Sequence, residues 1–233
     1  MLHLPLLDWS GLIVPDDYYK AFRHRGLGGA CFSPAVSRGG SVAFLAQKQD
    51  GYAADKNEFL SSQSTTTTGL NLAHFAEHGY VVVAPNVSGS IGYGEDFVNA
   101  TEYHFASAAY EDLEHGSRYL EKEVSYIDTR RSVALGCGYG GCMISWIQGH
   151  DLGRRFRALV SCNGIVSIMS YLSTDVQRAI FHELGGPPWD SPEEWRRSDP
   201  AQHLHNWSTP QLVIHDAAHM HFPVSDAVYE GTA

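Results

Sequence analysis

Residues Ala134 to Met143 read ALGCGYGGCM. In the pattern G-x-S-x-G, a strand end, a one-residue bend and a helix start raise a serine above a sheet, where the next backbone N–H faces a developing oxyanion. The chemistry is acyl transfer by a hydroxyl nucleophile. The bend residue here is Gly138, which has no side chain to attack with. Gly136, Gly140 and Gly141 stand where the crowding of such a turn excludes a Cβ, and the N–H of Tyr139 is the candidate oxyanion donor. Taken alone, a glycine-rich strand-to-helix turn also reads as a plain tight connection of an α/β fold. The phosphate-loop patterns fit less well, because the spacing is not G-x-G-x-x-G in an early βαβ unit and no lysine follows as in a P-loop.

Other residues in the sequence carry reactive side chains. Cys137 adjoins the bend, but as the last residue of a strand it directs its side chain to the face opposite its successor's. Cys142, one turn into the helix, reads as core. His215, Asp216, His219 and His221 cluster after a strand, where metal ligands can converge, yet neither HExxH nor a two-histidine-one-carboxylate spacing is present. A solvated loop is the expectation there, and no metal or cofactor is assigned. His150 and Asp151 read as charge complements to the end of the helix that leaves the bend.

The elements that must hold these residues follow from periodicity. Tyr80–Ala84, Ser132–Leu135, Ala158–Ser161 and Leu212–Ile214 are short, apolar and β-branched, as strands covered on both faces must be. Helices are expected between them: Leu70 to His78, Ser107 to Glu123 with Ala109, Tyr110, Leu113 and Leu120 inward, and Gly141 to Gly149. Residues 165–199 read as short helices broken at Gly185-Gly-Pro-Pro188. This alternation predicts an α/β domain with a mostly parallel sheet. The first 69 residues are irregular, with one strand candidate at Ser41–Leu45 and a Ser/Thr run at 61–68 that reads as a solvated linker.

The 233 residues, 43% of them hydrophobic, are enough for one large domain. A formal charge of −10 with pI near 5.6 and no Lys/Arg stripe argues against nucleic-acid binding. The amino terminus lacks a charged n-region, and Pro5, Asp8 and Ser10 interrupt its apolar run, so no signal peptide is legible. No segment approaches the ~20 apolar residues that span a bilayer, and no membrane partner is expected. Cys31, Cys137, Cys142 and Cys162 form neither CxxC nor a zinc spacing. Three sequons, at Asn86, Asn99 and Asn206, among six asparagines hint at a secretory ancestry.

From Tyr80 to Ile214 the blocks HGYVVVAPNVSGSIGYGEDF, YEDLEHGSRYLEKEVSYIDTRRSVALGCGYGGCMISWIQGHDLGRRFRALVSCNG, FHELGGPPW and WRRSDPAQHLHNWSTPQLVIH run in one order. This stretch resembles the hydrolase domain of the prolyl oligopeptidase family of serine peptidases, and within it the secreted fungal dipeptidyl-peptidase V group. Residues 33–60 resemble a blade of that family's β-propeller. The resemblance implies an N-terminal region over 1–69 and a partial α/β-hydrolase domain over 70–233, truncated at its C-terminus. It also implies a sheet with two vacant positions. One lies between 80–84 and 132–135, for which Val42–Leu45 is the candidate filler, and the other between 158–161 and 212–214.

By the same resemblance, the family's serine falls on Gly138, its aspartate aligns with His219, and its histidine lies beyond Ala233. Tyr139 keeps one oxyanion donor, while the second belongs to a loop whose place is taken by SSQSTTTT. The expectation is therefore a degenerate, catalytically inactive domain with no triad member intact, in a family that releases dipeptides from peptide N-termini. The alternatives are a non-catalytic binding or interaction module that takes a peptide ligand, a gene fragment without function, and a residual hydrolase acting on peptide N-termini. Location is extracellular if inherited from the family. Oligomeric state is not legible.

Overall fold

The computed structural model describes residues 42–48, 59–61, 75, 78, 80–90, 95–219 and 221–231. Their six strands form one sheet in the order β2-β3-β1-β4-β5-β6. The strands are β1 (Val42–Lys48), β2 (Phe59–Ser61), β3 (Tyr80–Ala84), β4 (Ile127–Cys137), β5 (Ala158–Cys162) and β6 (Gln211–Ile214). β2 runs parallel to β3, and β4, β5 and β6 run parallel to one another. A parallel pair needs a crossover, which helical segments provide between β4 and β5 and between β5 and β6.

β1 occupies the place between β3 and β4 and is antiparallel to both, with Phe44 opposite Val83 on one side and Ala134 on the other. The first of the two expected vacancies is thus filled by the proposed segment, extended to Lys48. The second does not exist. β5 and β6 pair directly, with Leu159 opposite Gln211 and Cys162 opposite Ile214, so the expectation of a missing strand between them is corrected. β6 instead ends the sheet. The three-residue β2, which the sequence did not announce, forms the other edge and is too short to show a periodic pattern.

Six α-helices are described: α1 (Glu95–Val98), α2 (Ser107–Glu123), α3 (Tyr139–Gln148), α4 (Gln177–Glu183), α5 (Pro192–Arg197) and α6 (Val224–Glu230). Val81 and Val83 face one side of the sheet, where they pack with Ala109, Leu113 and Leu120 of α2 and Met143, Ile144 and Ile147 of α3. Val82 and Ala84 face the other side with Leu135, Phe75 and Val160. This alternation is the period of two expected of a strand buried on both faces. A third cluster, Phe105, Cys142, Ile165, Ile168, Tyr171, Ile180, Leu184 and Trp195, gathers the segment after β5 over the start of α3.

α2 has the bounds its periodicity predicts, with Tyr110 half-buried rather than inward. α3 starts two residues before the predicted helix. Of the helix expected over 70–78, only Phe75 and His78 fall among the described residues, and the Ser/Thr run is described only at Ser61. The segment 165–199 is broken as predicted, with positive φ at Gly185 and Gly186. Among the described residues, no helix is long and apolar enough to cross a membrane.

Candidate functional site

The strand-to-helix turn is built at the end of β4. Gly138 adopts φ 61° and ψ −121°, a conformation that glycine reaches freely and a side-chain-bearing residue reaches only under strain. Its N–H donates to the Cys162 carbonyl at 2.9 Å, which ties the ends of β4 and β5 together, and its carbonyl accepts from the Cys142 N–H at 3.1 Å, the first rung of α3. A Cβ on Gly136 would lie 2.2 Å from the Gly140 carbonyl oxygen. One on Gly141 would lie 2.7 Å from the Gly164 Cα. Backbone therefore passes backbone at Gly136 and Gly141 with no room for a side chain, and the Gly140 carbonyl is the group that crowds Gly136.

Tyr139 is the first residue of α3, so its N–H has no acceptor within the helix and lies at the positive end of the helix dipole. Its side chain points elsewhere: the hydroxyl donates to the Phe105 carbonyl at 2.6 Å, and the ring meets that of Phe105 edge-on at 5.2 Å. Burial of the phenol, reinforced by nearby acidic groups, holds its pKa far above the ordinary value. Tyr139 thus offers an N–H donor while its side chain serves as an anchor.

His219 lies in the turn after β6, half-buried. Its Nδ1 accepts the Phe222 N–H at 3.2 Å, which requires an unprotonated nitrogen there. Desolvation, then the like charges of His221 and His215, push its pKa below the ordinary value. A neutral imidazole with Nδ1 already engaged cannot replace a carboxylate that orients a base. The other members of the cluster take separate partners: His215 Nε2 meets the Phe222 carbonyl at 2.8 Å, His221 Nδ1 meets Asp175, and the Asp216 N–H donates to Asn163 Oδ1. Among the described residues no group of three or more His, Cys, Asp or Glu side chains is placed to hold a metal. His150 caps α3 through Nδ1, 2.7 Å from the Trp146 carbonyl, and stacks on the Trp146 ring at 4.4 Å.

Two features had no counterpart in the sequence reading. The first is a buried acidic pair on α6. Asp226 Oδ1 accepts from the Val166 and Ser167 N–H groups at 3.1 and 3.0 Å, and Glu230 Oε1 accepts from Ser145 Oγ at 3.2 Å and from Gln211 Nε2. Asp226 Oδ2 and Glu230 Oε2 are buried without a partner. The i,i+4 spacing of the two acids on one helix was the available signal. The second is that Cys137 and Cys162 stand opposite each other in the β4–β5 ladder, legible only once both are seen to end neighbouring strands. A cavity of about 520 Å³ lies apart from the turn, between the start of α2, α3 and α5, lined by Ser107, Trp146, Glu193, Arg197, Gln202 and His203 among others.

Comparison with known proteins places this geometry in context. Residues 66–226 match the prolyl oligopeptidase family. A probable dipeptidyl-peptidase 5 of Aspergillus terreus is 42% identical over 164 residues, which is 70% of this chain and 23% of the relative. Dipeptidyl-peptidase 5 of Schizosaccharomyces pombe is 37% identical over 163 residues, 70% of this chain and 24% of that one. Pyrococcus horikoshii acylaminoacyl peptidase superposes with a TM-score of 0.59 at 28% identity, covering 67% of this chain and 26% of the solved one. The chain spans about a quarter of the length of the curated relatives it matches.

Proposed function

The chain belongs to the prolyl oligopeptidase family, and from that premise we propose that it is a dipeptidyl-peptidase-like domain without peptidase activity, its nucleophile position held by Gly138. The observation that carries this reading is the turn itself. It has the strand end, the positive-φ bend, the close-packed glycines and the free first-turn N–H of a nucleophile elbow, and no side chain at the bend. Without a nucleophile no acyl-enzyme forms there. A triad stripped of its members retains only what oxyanion stabilisation and binding supply.

The neutral His219 supports the same reading at the aspartate position. The proposed hydrolase-type unit runs over 70–233, with β1 and β2 contributed to its sheet by residues that precede it. Peptide remains the proposed ligand class, bound without turnover over the first turn of α3. Secretion and glycosylation enter as part of the same proposal, with Asn99 as the acceptor because it alone of the three sequon asparagines is exposed.

The test is direct. The purified chain is expected to leave a dipeptidyl chromogenic substrate at its spontaneous rate of hydrolysis and to take up no fluorophosphonate probe. Hydrolysis that persists undiminished in Gly138→Ala would place a catalytic group away from the turn and overturn the proposal.

A further inference from the structure

Two thiols flank the bend. Cys137 ends β4, Cys162 ends β5, and the two are direct neighbours in the parallel ladder. Residues paired in this way project from the same face of a sheet, here the face that carries Leu135 and Val160 and lies away from α2 and α3. Both side chains are half-buried, whereas Cys142, the remaining described cysteine, is sealed in the core. The Gly138 N–H to Cys162 carbonyl hydrogen bond at 2.9 Å holds the two strand ends in register beside these thiols.

We propose that Cys137 and Cys162 form a dithiol site that closes reversibly to a disulfide by exchange with a low-molecular-weight disulfide such as oxidised glutathione. Ladder neighbours lie about 4.8 Å apart at Cα, inside the roughly 4.4–6.8 Å range over which a disulfide bridges two residues. Their Cβ atoms, at a similar spacing, must approach by about 1 Å to reach the usual disulfide separation. That closure is strained, which makes the bond readily reducible rather than a permanent staple.

The exchange balances. The thiolate of Cys162 attacks one sulfur of the small disulfide, forming a mixed disulfide and releasing one small thiolate, which takes up the proton Cys162 has lost. The Cys137 thiolate then attacks the Cys162 sulfur and expels the second small thiol. Two protein thiols and one small disulfide give one protein disulfide and two small thiols, and two electrons pass to the small disulfide. Burial, then a hydrogen bond to Cys162, holds the Cys137 thiol well above the ordinary pKa. Cys137 therefore acts second, in the intramolecular step, and closure is slow.

The inference does not depend on whether the chain hydrolyses peptides. The folded chain carrying Cys31→Ser, which removes the one cysteine outside the described residues, would be equilibrated in glutathione buffers of graded ratio, quenched with an alkylating agent and weighed. The expected result is a two-electron transition with loss of two hydrogens. A chymotryptic cut after Tyr139, which separates Cys137 from Cys142, should then yield a fragment pair joining Cys137 to Cys162. In the same background, Cys137→Ser should stop at a single glutathione adduct on Cys162. A bond to Cys142, closure seen only in denaturant, or three freely alkylated thiols at the most oxidising ratio would overturn the inference. A cooperative thermal transition, measured on each variant before oxidation, establishes that these outcomes refer to folded protein.

Discussion

The bend at Gly138 and the edge of the sheet at β6 and α6 are held in opposite ways. The bend is made of backbone. Gly136, Gly140 and Gly141 pack main chain on main chain, and hydrogen bonds from Gly138 to Cys162 and from Cys142 to Gly138 fix it without any side chain. The β6–α6 end is made of side chains: Asp226 and Glu230 reach inward to Val166, Ser167, Ser145 and Gln211, and each leaves one carboxylate oxygen unpaired. Leu212 and Ile214 of the edge strand and Val228 of α6 are at least half exposed. A strand-to-helix turn of this shape thus needs no side chain at its bend. The β6–α6 end is defined instead by two buried carboxylates, each held through one oxygen.

The sharpest way to break this contrast is to add carbon at the bend. Gly136→Val would drive a branched side chain into the Gly140 carbonyl, and a loss of about 3 kcal/mol or more is expected, read as a collapse of the urea midpoint. A tolerated valine would mean that the turn is not held by backbone packing.

At the other end the lever is pH. Burial pushes the Glu230 carboxyl up to about 7 from an ordinary 4.5, so the folded chain binds this proton more tightly than the unfolded chain. Its contribution to stability is complete below about pH 4.5 and is lost as pH rises to about 7, a change of about 3 kcal/mol. The difference between wild type and Glu230→Gln in chemical denaturation across that window isolates it. Parallel curves would assign the slope to Asp199, whose carboxyl burial also raises.

Gly138→Ala should cost about 1–3 kcal/mol from the positive φ alone, less than the clash at Gly136, and calorimetry of this variant beside Gly136→Val would rank them. The smallest effect belongs to the exposed pair of His221 and Asp175. Asp175→Asn is expected to change stability by about 0.5 kcal/mol or less, and a larger change would show that the loop after β6 is ordered by that contact.

What the sequence revealed follows the same division. Tyr80–Ala84 was legible as a strand because both faces are buried, and ALGCGYGGCM was legible as a turn because its constraints are written as glycine. Pairings between distant segments were not. The supposed vacancy beside Leu212 came from an assumed strand order, and only the direct β5–β6 ladder corrects it. Asp226 and Glu230 look like ordinary surface acids of a short helix until Ser145 and Gln211 are brought against them. The Cys137–Cys162 neighbourhood rests on a ladder that no local pattern encodes.

The direction of β1 has one more consequence. Because the strand is antiparallel to β4, Val42 pairs with Gly136, and Lys48 lies at the far end, opposite Ile127. A parallel strand in that slot would begin at the Ile127 end. The peptide bond into Val42 is therefore within a few residues of the bend, and anything joined to the chain there is tethered at the mouth of the turn. A short flexible tether gives an effective concentration of the order of millimolar. A peptide too weak to bind from solution gains this concentration at the turn when fused ahead of residue 42, which makes that junction the place to attach a reporter or a test ligand.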